Sequence, residues 1–195
     1  MYGVLIVVFF FFLSFVVEKT MKVKPTFHFQ NKFEYVPILT ANIFADLFII
    51  FITFSQIYYK SPSLEGWYKK YRLCAMIADI LIGVLYMLLG RYIVSIFNLK
   101  IGLTTYAALC VAIQIIFDFL FYLFFSAVPK GQNDILDFFK GYAKEVKTDA
   151  LAGDSILVIF AVVLSAILNT KSFDTNIIML ILSVYLAPYF LYMRD

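Results

Sequence analysis

Four aspartates, Asp46 in "NIFADLFII", Asp79 in "CAMIADILI", Asp118 in "QIIFDFLFY" and Asp154 in "LAGDSILVI", recur at spacings of 33, 39 and 36 residues, each inside an apolar run. A carboxyl group in such a setting has two established uses. It can bind or pass protons and cations, or it can hydrogen-bond one helix to another. Burial at a bilayer centre costs about 2.5 to 3.5 kcal/mol, so each acid needs compensation. The only basic residue within these runs is Arg91, which counting places near the opposite face. What remains is a proton, a bound cation, or hydrogen bonds from Gln114, Asn42 or Tyr86.

The other small and polar residues of each run follow the aspartates at helical steps. They are Asn42, Asp46 and Thr53; Asp79, Gly83, Tyr86 and Gly90; Ala107, Cys110, Gln114 and Asp118; and Asp154, Ala161, Ser165 and Asn169. Four helices turning such stripes inward form a bundle with a small, polar seam. At a rise of about 1.5 Å per residue, Asp79 lies roughly 9 Å from one face, Asp118 and Asp154 lie toward that same face, and Asp46 falls nearer the middle. The motif "AGDS" also suits Asp154 to a helix cap.

The elements that must position these acids are set by composition. Hydrophobic residues make up 63% of the 195 and charged ones 15%, with a mean hydropathy of +0.90. One soluble core of this length cannot hide that much apolar surface. Six windows are long enough to cross a bilayer: Met1 to Val17, Val36 to Tyr59, Leu73 to Phe97, Ile101 to Val128, Ala152 to Thr170 and Asn176 to Met193. No barrel-type alternation runs through them, so the expected fold is an all-α, polytopic transmembrane helix bundle. The first window is of marginal length and lacks a basic leader and a small-residue cleavage site, which favours a retained anchor. Residues 1–35 then form an anchor helix with an exposed loop, and 36–195 the bundle. Pro188 in "YLAPYFLY" is expected to bend the last span.

An even number of spans puts both termini on one side. That side carries Lys60, Lys69, Lys70, Arg72, Lys130, Lys140, Lys144, Lys147 and Arg194, against Lys19, Lys22, Lys24, Lys32, Arg91, Lys100 and Lys171 opposite, so the terminal side is expected to be cytoplasmic. In "SPSLEGWYKKYRL", Ser61 caps a short helix with Pro62 at its first position, and Leu64, Trp67, Tyr68 and Tyr71 share a face beside Lys69, Lys70 and Arg72. In "NDILDFFKGYAKEVK", Asn133 caps a second, with Ile135, Phe138, Phe139, Tyr142 and Val146 opposite Asp137, Lys140, Lys144 and Lys147. Both read as interfacial helices, whose expected contacts with headgroups or neighbours are Trp67, Lys69, Lys70, Arg72, Phe138, Phe139 and Lys140. On the opposite side "FHFQNKFEYV" alternates Phe27, Phe29, Phe33 and Tyr35 about Asn31 and Lys32, the pattern of a short β-hairpin, with His28 as a surface residue of it.

Several chemistries have no pattern to carry them. There is no CxxC, HExxH or Gly-rich phosphate loop, and one histidine cannot form an imidazole cluster, so no metal, cofactor or nucleic-acid partner is expected. Cys74 and Cys110 fall inside spans and read as small apolar residues. An enzyme is not expected, since no nucleophile–base pair or metal set is present; Asp79 and Asp118 are the one pair that an acid–base dyad would use.

The string "QIIFDFLFYLFFSAVPKGQNDILDFFKGYAKEV", followed by "LAGDSILVI" and "DTNIIMLILSVYLAPYFLY", and upstream by "WYKKYRLCAMIADILI", resembles uncharacterised multi-pass membrane proteins of large nucleocytoplasmic DNA viruses of algae and protists. The resemblance spans roughly residues 36 to 193. The family pattern has a polar or basic residue, often His, before the aspartate of the fourth span; this chain has Phe117. The resemblance implies residence in the lipid membrane beneath an icosahedral shell, with capsid or other virion membrane proteins as partners and oligomers possible. The expectation is a structural membrane protein that anchors or organises that membrane against the capsid, with Asp46, Asp79, Asp118 and Asp154 tying the bundle together. The alternative is a proton or cation channel or transporter using the same aspartates.

Overall fold

Lipid gives a backbone amide no partner, so each apolar run must close its own hydrogen bonds, and a helix does so within the segment. The computed structural model describes residues 2–55, 61–146 and 149–193. Eight α-helices follow in order: α1 (Tyr2–Met21), α2 (Tyr35–Ser55), α3 (Pro62–Tyr71), α4 (Leu73–Ile96), α5 (Leu103–Ala127), α6 (Asp134–Val146), α7 (Asp149–Leu168) and α8 (Phe173–Leu191). Of these, α1, α2, α4, α5, α7 and α8 are long and apolar enough to cross a membrane. The fold is an all-α helix bundle of a multi-pass membrane protein. The expected end of the second span, Gln56 to Tyr59, and the charges of Lys60, Lys147 and Arg194 lie outside the described residues.

Helix ends follow the capping chemistry in the sequence. The Ser61 hydroxyl accepts from the Leu64 amide at 3.2 Å with Pro62 in the first turn. Asn133 Oδ1 accepts from the amides of Ile135 and Leu136, both at 3.0 Å. The first span is longer than expected, reaching Met21, and its 20 residues give about 30 Å of helix, enough to cross a hydrocarbon core. α8 runs through Pro188 to Leu191.

α2 is the central span, packing on α4, α7 and α8, while α5 packs on α4 and α7 and α1 lies outside against α5 and α7. Two apolar clusters result. One joins Ile38, Met87, Val94, Tyr106, Ala107, Ile159 and Val162; the other, nearer the terminal side, joins Ile43, Leu47, Ile50, Phe54, Tyr68, Met76 and Leu191. Close approach of α2 and α4 depends on Gly83, where a Cβ would run into the Asn42 side chain. Gly90 plays the same part toward α5, where a Cβ would come within 3.0 Å of Cys110 Sγ and 3.2 Å of the Tyr106 ring. Both cysteines are free, Cys110 buried at this contact and Cys74 exposed.

The β-hairpin does not form; among the described residues there is no strand. Asn31 instead caps a 3-10 turn at Lys32–Glu34 by accepting from the Phe33 amide, and Tyr35 already begins α2. The physical reason is Glu34, which is buried and accepts from the His28 amide at 3.0 Å and from Asn31 Nδ2 at 3.3 Å, with His28 Nδ1 2.9 Å away. Arg91, also fully buried, donates from its Nη2 to the carbonyls of His28 and Asn31 and lies 3.5 Å from Glu34 Oε2. A buried ion pair with this loop wrapped round it outcompetes two strands that would have had no third strand to pair with.

The α2–α4 contact gives a test. Gly83→Ala should lower stability in detergent micelles by about 1 to 3 kcal/mol, because Asn42 must leave its bond to the Ile38 carbonyl to admit the methyl group. Gly141→Ala, in mid-α6 with open space around the new Cβ, should instead stabilise by up to about 1 kcal/mol. Thermal unfolding of the two variants beside the parent reads both signs.

Candidate functional site

The four aspartates come from α2, α4, α5 and α7, and helix geometry puts each about 8 to 14 Å from the terminal-side end of its helix. Asp46 therefore does not sit apart from the others. The residue that joins it to them is Tyr68 of α3, whose hydroxyl lies 2.7 Å from Asp46 Oδ1 and 3.0 Å from Asp79 Oδ2. Trp67, its neighbour, donates its indole N–H to the same Asp79 oxygen at 2.9 Å. Burial, with the two carboxyl groups beside it, holds the Tyr68 phenol well above its ordinary range, so it remains a donor. A phenol has one hydrogen and can donate to one carboxyl group at a time. Both contacts become hydrogen bonds together when the other carboxyl group carries a proton and donates to the phenol oxygen.

A second set surrounds Asp118. Tyr86 of α4 donates to Oδ1 at 3.2 Å, and Gln114, one turn earlier on α5, donates to Oδ2. Ser155 of α7 donates to Gln114 Oε1 at 2.9 Å, so three spans meet through this amide and carboxyl group. Asp154 lies within electrostatic reach of both Asp118 and Asp79, but it is exposed and no hydrogen bond reaches its carboxyl group among the described residues. It does not cap the helix, because α7 starts at Asp149 and Asp154 is more than a turn inside. Asn42, expected as a donor to an acid, bonds instead to the Ile38 carbonyl at 2.8 Å and to Met87 Sδ at 3.4 Å. Asp79 and Asp118 share no hydrogen bond among the described residues. No group of three or more His, Cys, Asp and Glu is placed to hold a metal ion among them either.

The interfacial helices close this cluster from the terminal side. Trp67 and Phe139 have ring centroids 4.9 Å apart, Trp67 and Phe138 5.5 Å, and Phe139 packs on Phe121 of α5 at 5.0 Å. Tyr71 donates to the Asp134 carbonyl at 2.9 Å, and Ser63 bonds to Glu145. α6 thereby spans from α3 to α5. From the sequence Trp67 belongs at the headgroups; its ring is 5% exposed, because its N–H is drawn inward to Asp79 and its faces are covered by α6. Phe138 and Phe139 are half-buried against it. Arg72 donates to the Leu191 carbonyl at the end of α8 and lies 5.0 Å from the Tyr192 ring. Lys140 turns back to the Val128 carbonyl at 2.7 Å and to Asp137 at 2.9 Å. That bond, with the Gly131 amide, holds the Asp137 carboxyl below its ordinary range. Lys69 and Lys70 are the exposed members of the expected set, Lys69 paired with Glu65 at 2.6 Å.

Tyr68 and Trp67 are the donors that a count along the sequence misses. The available signal was their polar handles, since a buried tyrosine or tryptophan nearly always finds a partner. Removing the hydroxyl in Tyr68→Phe should cost about 1 to 3 kcal/mol of stability, as it leaves a buried carboxyl group without its donor. In an Asp46→Leu background the same substitution should cost less, and a double-mutant cycle on thermal unfolding measures the difference. No family model matches the chain, and no curated protein or solved structure was found to match it.

Proposed function

We propose that this is a structural protein of a membrane, in which the intramembrane aspartates tie helices together and the α3–α6 face organises what lies against the terminal side. The carrying observation is that Asp46, Asp79 and Asp118 each have side-chain donors of this same chain, supplied across helix boundaries by Tyr68, Trp67 and Tyr86. Acids used in this way fasten spans to one another. The setting proposed is the one that the resemblance implies, the internal membrane of a large icosahedral DNA virus, with shell or other membrane proteins as partners. The proposal contains no catalytic step and no cofactor.

The alternative, a proton or cation path, is favoured by one feature. Asp154 is exposed and without a hydrogen-bond partner among the described residues, in the field of Asp118 and Asp79. Acids inside membranes commonly line such paths.

Reconstituted into liposomes, the protein should carry no proton or cation flux above that of empty liposomes. Asp118→Asn should lower its thermal stability, because Tyr86 and Gln114 each donate to a separate carboxylate oxygen and an amide offers only one. Flux that disappears in Asp118→Asn or Asp154→Asn with stability intact would replace the structural reading with the path. Quantitative mass spectrometry of purified virus particles, before and after detergent removal of the membrane, tests the setting. Many copies retained with the shell support it, and absence from the particle overturns it.

A further inference from the structure

On the side opposite the acid cluster a crevice of about 410 Å³ opens between the end of α1, the segment that follows it, and the α4–α5 connection. Its walls are set by two left-handed residues. Lys22, with φ 51°, turns the chain off α1, and Asn98, with φ 48°, turns it off α4. At Asn98 the amide bonds back to Ser95 at 3.4 Å and that of Leu99 to Val94 at 3.0 Å, which is a Schellman motif. These turns bring Lys24 and Lys100 to one crevice, over a floor that includes Phe27 and the buried Val23 and Leu103.

The charges there do not cancel. Glu18 lines the crevice, but its carboxylate is committed to α5, accepting from the Thr104 amide and hydroxyl, both at 2.9 Å. It caps a helix whose own N-cap residue, Gly102, has no side chain to do so; a Cβ at Gly102 would collide with that carboxylate. His28 uses Nδ1 on Glu34, leaving Nε2 in a side chain that is 58% exposed. Lys24 and Lys100 have no hydrogen-bond or ion-pair partner among the described residues. Two exposed lysines thus line an opening with an apolar floor, at the depth where α1 ends and α5 begins.

We propose that this crevice binds the phosphate of an anionic membrane phospholipid, with Lys24 and Lys100 on the phosphate oxygens and the acyl chains along Leu99, which is 39% exposed. The position favours a lipid over a free anion. Glu18 and Leu103 lie in the terminal turns of two spans, so the amines sit at headgroup level and the apolar floor continues toward the hydrocarbon. Neutralising two phosphate-directed lysines at a membrane surface weakens binding by about thirty-fold.

The test is native mass spectrometry of the full chain released from micelles, titrated with phosphatidylglycerol and separately with phosphatidylcholine. The parent should retain one phosphatidylglycerol in preference to phosphatidylcholine. Lys24→Ala/Lys100→Ala should lose that preference with about thirty-fold weaker binding, while Lys24→Arg/Lys100→Arg keeps it and Lys171→Ala, on the same side but outside the crevice, leaves it unchanged. Circular dichroism in phosphatidylcholine micelles checks that the double variant is folded; if it is not, Lys24→Gln and Lys100→Gln are measured singly and each should weaken binding about five-fold. Equal retention by parent and lysine variants, or equal retention of the two lipids, overturns the proposal. Displacement of phosphatidylglycerol by millimolar inorganic phosphate or glycerol phosphate also overturns it, in favour of a free-phosphate site.

Discussion

A carboxyl group buried among apolar helices is costly without hydrogen-bond donors, and for Asp46, Asp79 and Asp118 this chain supplies them from neighbouring helices. The Tyr68 hydroxyl lies within reach of both Asp46 and Asp79, and Trp67 gives Asp79 a donor of its own. For this, α3 has to tuck beneath α2 and α4 rather than float at the headgroups. Trp67 is then carried inward with it, and α6 closes over its ring. The position of two surface helices therefore follows from two acids buried beneath them.

The opposite end of the bundle solves a related problem with charge. Arg91 is fully buried, and a lone guanidinium there would be costly, so the loop ahead of α2 folds around it and supplies Glu34 and two carbonyl groups. Tyr35 adds its ring 4.7 Å from the guanidinium carbon. A segment whose alternation suggests strands thus becomes a capped turn. Local pattern yields to a tertiary demand that it cannot register.

The helices, the caps at Ser61 and Asn133, and the inward faces of α2, α4 and α5 were readable because each depends on residues a few positions apart. Ser61 with Pro62, Asn133, and the stripe of Asp79, Gly83, Tyr86 and Gly90 are local signals. Gln114 and Tyr86 could also be named as donors, since they lie on the stripes of the acids they serve. The pairing of Arg91 with Glu34 and the descent of Tyr68 and Trp67 were not readable. Periodicity assigns an aromatic residue to an apolar face and says nothing about where its hydroxyl or N–H will point. For the same reason Asp154 read as a cap, because the start of α7 at Asp149 was hidden among residues that carry little periodic signal.

α4 carries Asp79 near one end and Arg91 near the other, about 18 Å apart along its axis and about a third of a turn apart around it. Each is fastened to a different neighbour, one through an aromatic donor and one through an ion pair. A rod held at both ends and at two azimuths cannot roll, and sliding it along its length would break both fastenings at once. α4 is thereby held against rolling like an axle in two bearings, in contrast to the peripheral α1, whose side-chain bonds to α5, from Ser14 and Glu18, lie toward one end.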